Sequence, residues 1–289
     1  MKKNLHLCIH RGHGSSCSII LDGKILVSAQ EERFSRIKND AGFPFEALTW
    51  ALNETGFMPA DFQSVAYTTR YFPSIYTKSK HRTNFNLSDY RKYYAQEDKR
   101  KNDPSYKAEY YKTLRDERRF NGHKEYFDFS YLKDDTVMVD EKSDEVHFTR
   151  EQRDYLIRTF GFKDEQICFL DHHTCHAYYA FFGSVIRDKK CIVLTADGGG
   201  DGNKQTVWVA EHNKLKLVFG TNENEVAKIY KLTTLILGLR PDEDEYKVMG
   251  LAPYAPQSGS ERIYKIFEPL LDIEGLGISH KNYPSSIWS

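Results

Sequence analysis

"CIVLTADGGGDGNKQTVWVAEHNKLKLVF", residues Cys191–Phe219, is the stretch whose reading decides the fold. It divides into the apolar run CIVLTA, the glycine-rich segment DGGGDG, a second run QTVWVA, the polar turn EHNK and a third run LKLVF. Short β-branched runs separated by Gly, Asp and Asn read as three consecutive strands. The N-terminus repeats the order: LHLCI, the turn RGHGS, CSIIL, the pair Asp22-Gly23, then KILVSAQ. An Asp-Gly between two β-branched runs is a strong hairpin signal. A unit of strand, small-residue loop, strand, tight turn, strand therefore occurs twice.

Between the two units, FPFEALTWALNETG carries apolar residues at helical spacing, with Pro44 at its start and Gly56 just past its end. SVAYTT and, much later, QICFL read as buried strands. Strands alternating with helices predict an α/β sheet with helices on both faces. From Lys78 to Glu125 the composition changes: 14 Lys/Arg stand against 8 Asp/Glu, with many tyrosines and a break at Pro104. Two readings are open for it, a basic aromatic surface for a phosphate-bearing partner or a solvated helical insertion of mixed charge. The interleaved acids do not suit a nucleic-acid groove, and the charge density predicts a helical segment peripheral to the sheet.

The chain has 289 residues, a length that suggests about two domains. Its 40% hydrophobic and 14% aromatic content can build a core, and 41 basic residues balance 41 acidic ones. Net charge thus points to neither a nucleic-acid nor a membrane partner. No apolar run approaches the roughly 18 residues of a membrane span, and MKKNLHLCIH lacks the apolar core of a signal peptide. A cytoplasmic protein is the expectation. Five cysteines, odd in number and without a CxxC pair, argue against a disulfide framework and against a paired-CxxC zinc site.

The chemistry concentrates in DHHTCHAYYAFF, Asp171–Phe182. His172 and His176 are four apart, so on a helix starting after Asp171 they lie on one face and can share a metal ion. Asp171 stands where a cap would, and His173 and Cys175 point elsewhere. The spacing leaves a metal pair and a capped, buried amphipathic helix both open, and a third ligand must come from another segment. In TADGGGDG, Asp197 ends a strand, where its carboxylate can reach a metal or a polar substrate group. The glycines after it let backbone approach a ligand and can form an anion nest. GHGSS occupies the equivalent loop of the first unit, with His13 and two hydroxyls. Two such loops facing each other across a pseudo-twofold are how the actin/hexokinase/Hsp70 architecture clamps nucleotide phosphates. QEERFSRIKNDAGFP and GLRPDEDEYKVMGLAPYA, dense in charge and bounded by Gly and Pro, suit either an anion-handling site or solvated loops.

At HGSSCSIILDGKI, AQEERFSRIKNDAGFP, DHHTCHAYYAFF, LTADGGGDG and DEYKVMGLAPYA the chain resembles the carbamoyltransferase family typified by nodulation and antibiotic O-carbamoyltransferases. The motifs occur in the family's order and span nearly the whole chain apart from the charged insertion. The resemblance implies a duplicated actin-type (ribonuclease-H-like) α/β fold whose second half is incomplete here. Residues 1–189 would form a first subdomain with a charged helical insertion near 78–150, and 190–289 the start of a second. It also implies a Kae1-like N-terminal domain that passes a carbamoyl group from carbamoyl adenylate to an acceptor hydroxyl. A YrdC-like C-terminal domain makes that adenylate from carbamoyl phosphate and ATP.

Carried over to this sequence, the resemblance makes His172, His176 and Asp197 holders of a divalent metal, with iron as the expected ion. It places His13 beside the acceptor, Lys38 and the Gly198–Gly200 backbone near the adenylate, and Glu245 on the acceptor side. His13, Lys38 and Glu245 are the expected catalytic residues. Gly14 follows His13 where family members usually carry aspartate. The chain stops at NYPSSIWS, before the family's downstream glycine-rich segment, its late aspartate ligand and the YrdC-like domain. A fragment, or one piece of a split enzyme completed by a separate chain, is the expectation. Expected partners are a small hydroxyl-bearing acceptor and carbamoyl phosphate, with no nucleic acid and no membrane. Two alternatives stand beside this: a Kae1-like protein of tRNA threonylcarbamoyladenosine synthesis, and a non-catalytic remnant of the fold.

Overall fold

A computed structural model describes residues 4–71 apart from 13, 37, 39, 41 and 42, then 87, 88 and 91, and 141–280 apart from 242. The insertion from Lys78 to Glu125 lies almost wholly outside the described residues, as does His13. The chain divides into two compact α/β units between His172 and His173, ahead of the 189/190 boundary that the repeated strands suggest.

In the first unit, β1 (Leu5–His10), β2 (Ser16–Leu21) and β3 (Lys24–Gln30) form an antiparallel meander. β4 (Ser64–Tyr67) and β5 (Ile167–Phe169) add to β1 in parallel, giving the order β3-β2-β1-β4-β5. The Asp22-Gly23 hairpin forms as its sequence predicts: both residues have positive φ, which a two-residue turn of this hand requires. Leu5, Leu7 and Ile9 alternate inward on β1 and are fully buried. They pack with Ile19, Val65, Leu156 and with Ala47, Leu48 and Ala51 of α1 (Phe45–Thr55). Helix α2 (Glu141–Tyr155) runs into a π-helical turn that ends at Gly161. All five cysteines are free thiols, and burial pushes the Cys17 thiol up to about 12.

Helix α1 has no local N-cap. Its first amides are met by Glu31, whose carboxylate accepts from the N–H of Glu46 (3.1 Å) and of Ala47 (2.9 Å). Glu31 is 6% exposed. Its pKa is raised, first by burial, with the two amides pulling it back and Asp40 and Glu46 adding to the rise. The folded chain therefore holds this proton more tightly than the unfolded one. The resulting stability is present below the ordinary value of 4.5 and is lost as pH rises through the raised folded value. Glu31→Gln should remove that component, so melting curves of variant and parent should diverge across this window and run parallel above it. Glu31→Ala, which orphans two amides, should cost about 1–3 kcal/mol by denaturant titration.

The second unit contains β6 (Cys191–Gly200), β7 (Asn203–Glu211) and β8 (Lys214–Thr221), again an antiparallel meander. The DGGGDG segment is not an open loop. β6 continues through Gly200 with an irregular register after Ala196, and the turn is the pair Asp201-Gly202, both at positive φ. Helix α3 (His172–Phe182) packs Ala177 and Phe181 on Val193, Trp208 and Ala210. That apolar seam is why nearly all of α3 belongs with the second unit. Helices α4 (Val226–Ile236), α5 (Glu245–Leu251) and α6 (Gln257–Phe267) and the hairpin β9 (Leu271–Glu274)–β10 (Gly277–His280) complete the unit. Gln205 of β7, 2% exposed, ties these parts together. Its Nε2 donates to the Leu276 carbonyl (2.8 Å), and its Oε1 accepts from Asn224 Nδ2 (3.1 Å) and the Ile278 N–H (3.2 Å). Asn224 Oδ1 in turn accepts from the Val226 N–H at the start of α4.

Candidate metal centre

Helix α3 opens at His172, directly after Asp171, where the sequence places it. The unit division falls inside its first turn, so His172 and His176 are related by helical geometry, one turn apart on one face. Asp197 comes from the far part of β6. One ligand atom from each of His172, His176 and Asp197 lies within 4.8 Å of the others. His176 Nε2 stands 3.3 Å from Asp197 Oδ2, while Asp197 Oδ1 accepts from the Gly198 N–H at 2.6 Å. His176 keeps 52% and Asp197 37% of its side chain exposed, so the cluster faces solvent on one side.

The donor set fits a divalent ion. Ligands at about 2.0–2.2 Å from a common ion stand roughly 3–4 Å apart, so small side-chain rotations close this cluster. Two imidazoles and one carboxylate with open positions are a donor set that Fe(II) uses, and Zn(II) accepts the same atoms.

The other residues singled out in the sequence are placed separately. Lys38 is exposed in the first unit, and Glu245 is the half-exposed first residue of α5. Gly198, Gly199 and Gly200 extend β6 beside Asp197, and only Gly199 among them has positive φ, at 145°. The Gly198 amide, which could have faced an anion, instead holds the Asp197 carboxylate.

A family model described as carbamoyltransferase N-terminus matches residues 6–283. The chain belongs to this carbamoyltransferase family. Among similar proteins, the uncharacterized protein sll1178 of Synechocystis sp. is 25% identical over 284 residues, which is 95% of this chain and 39% of that protein. Nodulation protein NolNO of Sinorhizobium fredii is 24% identical over 269 residues, 92% of this chain and 31% of NolNO. Nodulation protein NolO of Bradyrhizobium diazoefficiens is 35% identical over 107 residues. The chain thus spans about a third of the length of the curated relatives that it matches over most of its own. Among the described residues, no helix is long and apolar enough to cross a membrane.

Two groups near the cluster have no role assigned to them from the sequence. His173, the middle histidine, is fully buried and bonded to β6 and β7. His10 of β1 accepts or donates at Thr68 Oγ1 (2.8 Å) and lies with its ring 6.4 Å from that of His172. The signal for His10 was the alternation of LHLCIH, which puts His6, Cys8 and His10 on the face opposite the Leu5–Ile9 core. Gly12 leaves room for that imidazole, since a Cβ there would stand 2.8 Å from His10 Nε2.

Proposed function

We propose that this chain is the acceptor-side, N-terminal part of an O-carbamoyltransferase, with His172, His176 and Asp197 holding a divalent metal, Fe(II) in the first instance. The observation that carries the reading is the meeting of these three side chains in a member of the carbamoyltransferase family. The two meanders of like strand order support a duplicated, actin-type arrangement.

In the proposed reaction the donor is carbamoyl adenylate: water cleaves carbamoyl phosphate to carbamate and phosphate, and the carbamate oxygen then displaces pyrophosphate from the α-phosphorus of ATP. The acceptor hydroxyl oxygen bonds to the carbamoyl carbon, and the bond from that carbon to the adenylate phosphate oxygen breaks. AMP leaves, and the hydroxyl proton passes to solvent or a nearby base. The chemistry that a divalent ion held there would supply is Lewis-acid polarisation of the hydroxyl or the carbamoyl oxygen. The imidazoles of His172 and His176 fix one side of the centre from a rigid helix, and Asp197 contributes the anionic charge from the adjoining strand. Lys38 offers a cation for the adenylate phosphate, and the Gly198–Gly200 backbone allows close approach without side chains. His13 and Glu245 are assigned to the acceptor.

The test supplies the donor. The chain is loaded anaerobically with Fe(II) and mixed with carbamoyl adenylate generated in situ by an added YrdC-like enzyme, carbamoyl phosphate and ATP. A panel of sugar and polyol acceptors is then read by mass spectrometry. The expected result is a carbamate ester whose formation stops on chelation. Stoichiometric Fe(II) binding without ester on any acceptor would count for a binding module instead.

A further inference from the structure

The middle histidine of the HHxxH segment is not among the three clustered side chains, yet it is the most buried of the three histidines. His173 is 0% exposed, with Nδ1 at 2.7 Å from Thr195 Oγ1 and Nε2 at 2.9 Å from the Asn203 carbonyl. Thr195 Oγ1 is bonded to Thr206 Oγ1, and Trp208 Nε1 donates to Thr206 Oγ1 at 2.7 Å. Thr195, Thr206 and Trp208 are all buried as well. The direction of this chain of bonds follows from its ends. The indole N–H can only donate and the Asn203 carbonyl can only accept. With a neutral His173, the Trp208 N–H donates to Thr206, the Thr206 hydroxyl to Thr195, the Thr195 hydroxyl to Nδ1, and the Nε2–H to Asn203. Every proton in the series then has an acceptor within it.

The registry of these bonds matters. Thr195 and Asp197 are two apart on β6 and share a face of the strand. His173 and His176 are three apart on α3 and share a side of the helix. Helix and strand are therefore joined by two successive rungs, His173–Thr195 in the dry interior and His176–Asp197 at the exposed rim. Asn203, directly after the Asp201-Gly202 turn, fixes the hairpin arm that follows the irregular, Asp197-bearing stretch of β6. A roll of α3 by about 30° would carry an imidazole nitrogen some 6 Å from the helix axis through about 3 Å, which would break any shared coordination.

We infer that His173 is a positioning residue, and that the Trp208–Thr206–Thr195–His173–Asn203 series sets the roll of α3 so that His172 and His176 meet Asp197. This rests on the metal reading proposed above. Metal-site partners outside the ligand shell typically change metal affinity by about 10–100-fold when lost, and that is the effect expected here.

The experiment is calorimetric titration of the whole chain with Co(II), paired with the visible absorption of the Co(II) form. Thr195→Val keeps the side-chain shape and removes the hydroxyl, and should weaken Co(II) binding by about 10–100-fold with an altered spectrum. Thr195→Ser restores the hydroxyl and should return affinity to within about threefold of the parent, a rescue that loss of packing alone would not give. Trp208→Phe, at the far end of the series, serves as the second variant if Thr195→Val fails to fold, and should weaken binding in the same direction. Co(II) affinity and spectrum unchanged in folded Thr195→Val or Trp208→Phe would overturn the inference while leaving the metal site standing. A parent chain that binds no Co(II) would overturn both, and only that result touches the metal reading.

Discussion

His176→Ala should lower Co(II) or Fe(II) affinity by more than about 100-fold, beyond the usual cost of losing an outer partner, and should abolish carbamoyl transfer. The melting temperature of the metal-free chain should hardly move. His176 is more than half exposed, so truncation leaves no buried cavity, and it lies against the rim carboxylate of Asp197. What is lost is one of the donors that can converge on a single ion, and with it the geometry imposed by the helix. Asp197→Asn should act in the same direction by removing the anionic charge while keeping the side-chain shape. Calorimetric titration before and after exhaustive chelation measures the effect. Parent-like affinity in His176→Ala would remove these residues from the metal centre.

Gln205→Ala should be strongly destabilising for a polar truncation, costing about 3–5 kcal/mol. It leaves the buried Asn224 amide, the Ile278 N–H and the Leu276 carbonyl without the partner they now have. Each orphaned group costs roughly 1–3 kcal/mol, against a typical domain stability of about 5–15 kcal/mol. The loss should be local first: amide exchange in β9–β10 should quicken before that of β6–β8. Urea titration and hydrogen exchange together test this, and a cost below about 1 kcal/mol would refute it.

The parts legible in the sequence were those written in local pattern. The Asp22-Gly23 pair announced its hairpin, Pro44 and Gly56 bracketed α1, and the i, i+4 histidines announced a shared helix face. The carboxylate that completes the cluster was reachable too, because Asp197 sits at the polar end of an apolar run. The unread parts depend on partners distant in sequence. Nothing around Phe45 says that its helix is capped from Glu31. Nothing around His173 says that it will bond across to Thr195 and Asn203, because that pairing exists only once α3 lies on the sheet. The glycine run misled in a different way. Three glycines suggest a loop, yet with β7 opposite them the backbone continues as an irregular strand up to Asp201.

The tether from the Gly198 N–H to one oxygen of Asp197 has a consequence for the freedom of that carboxylate. With Oδ1 held by the amide, Oδ2 is left directed at His176, and the two imidazoles belong to one helical face. These three side chains would therefore supply an ion with donors of two kinds, neutral nitrogens from a helix and an anionic oxygen from a strand. A tether of this kind acts as a rein: it limits the swing of the carboxylate before any ion arrives, so less freedom would remain to be lost on binding.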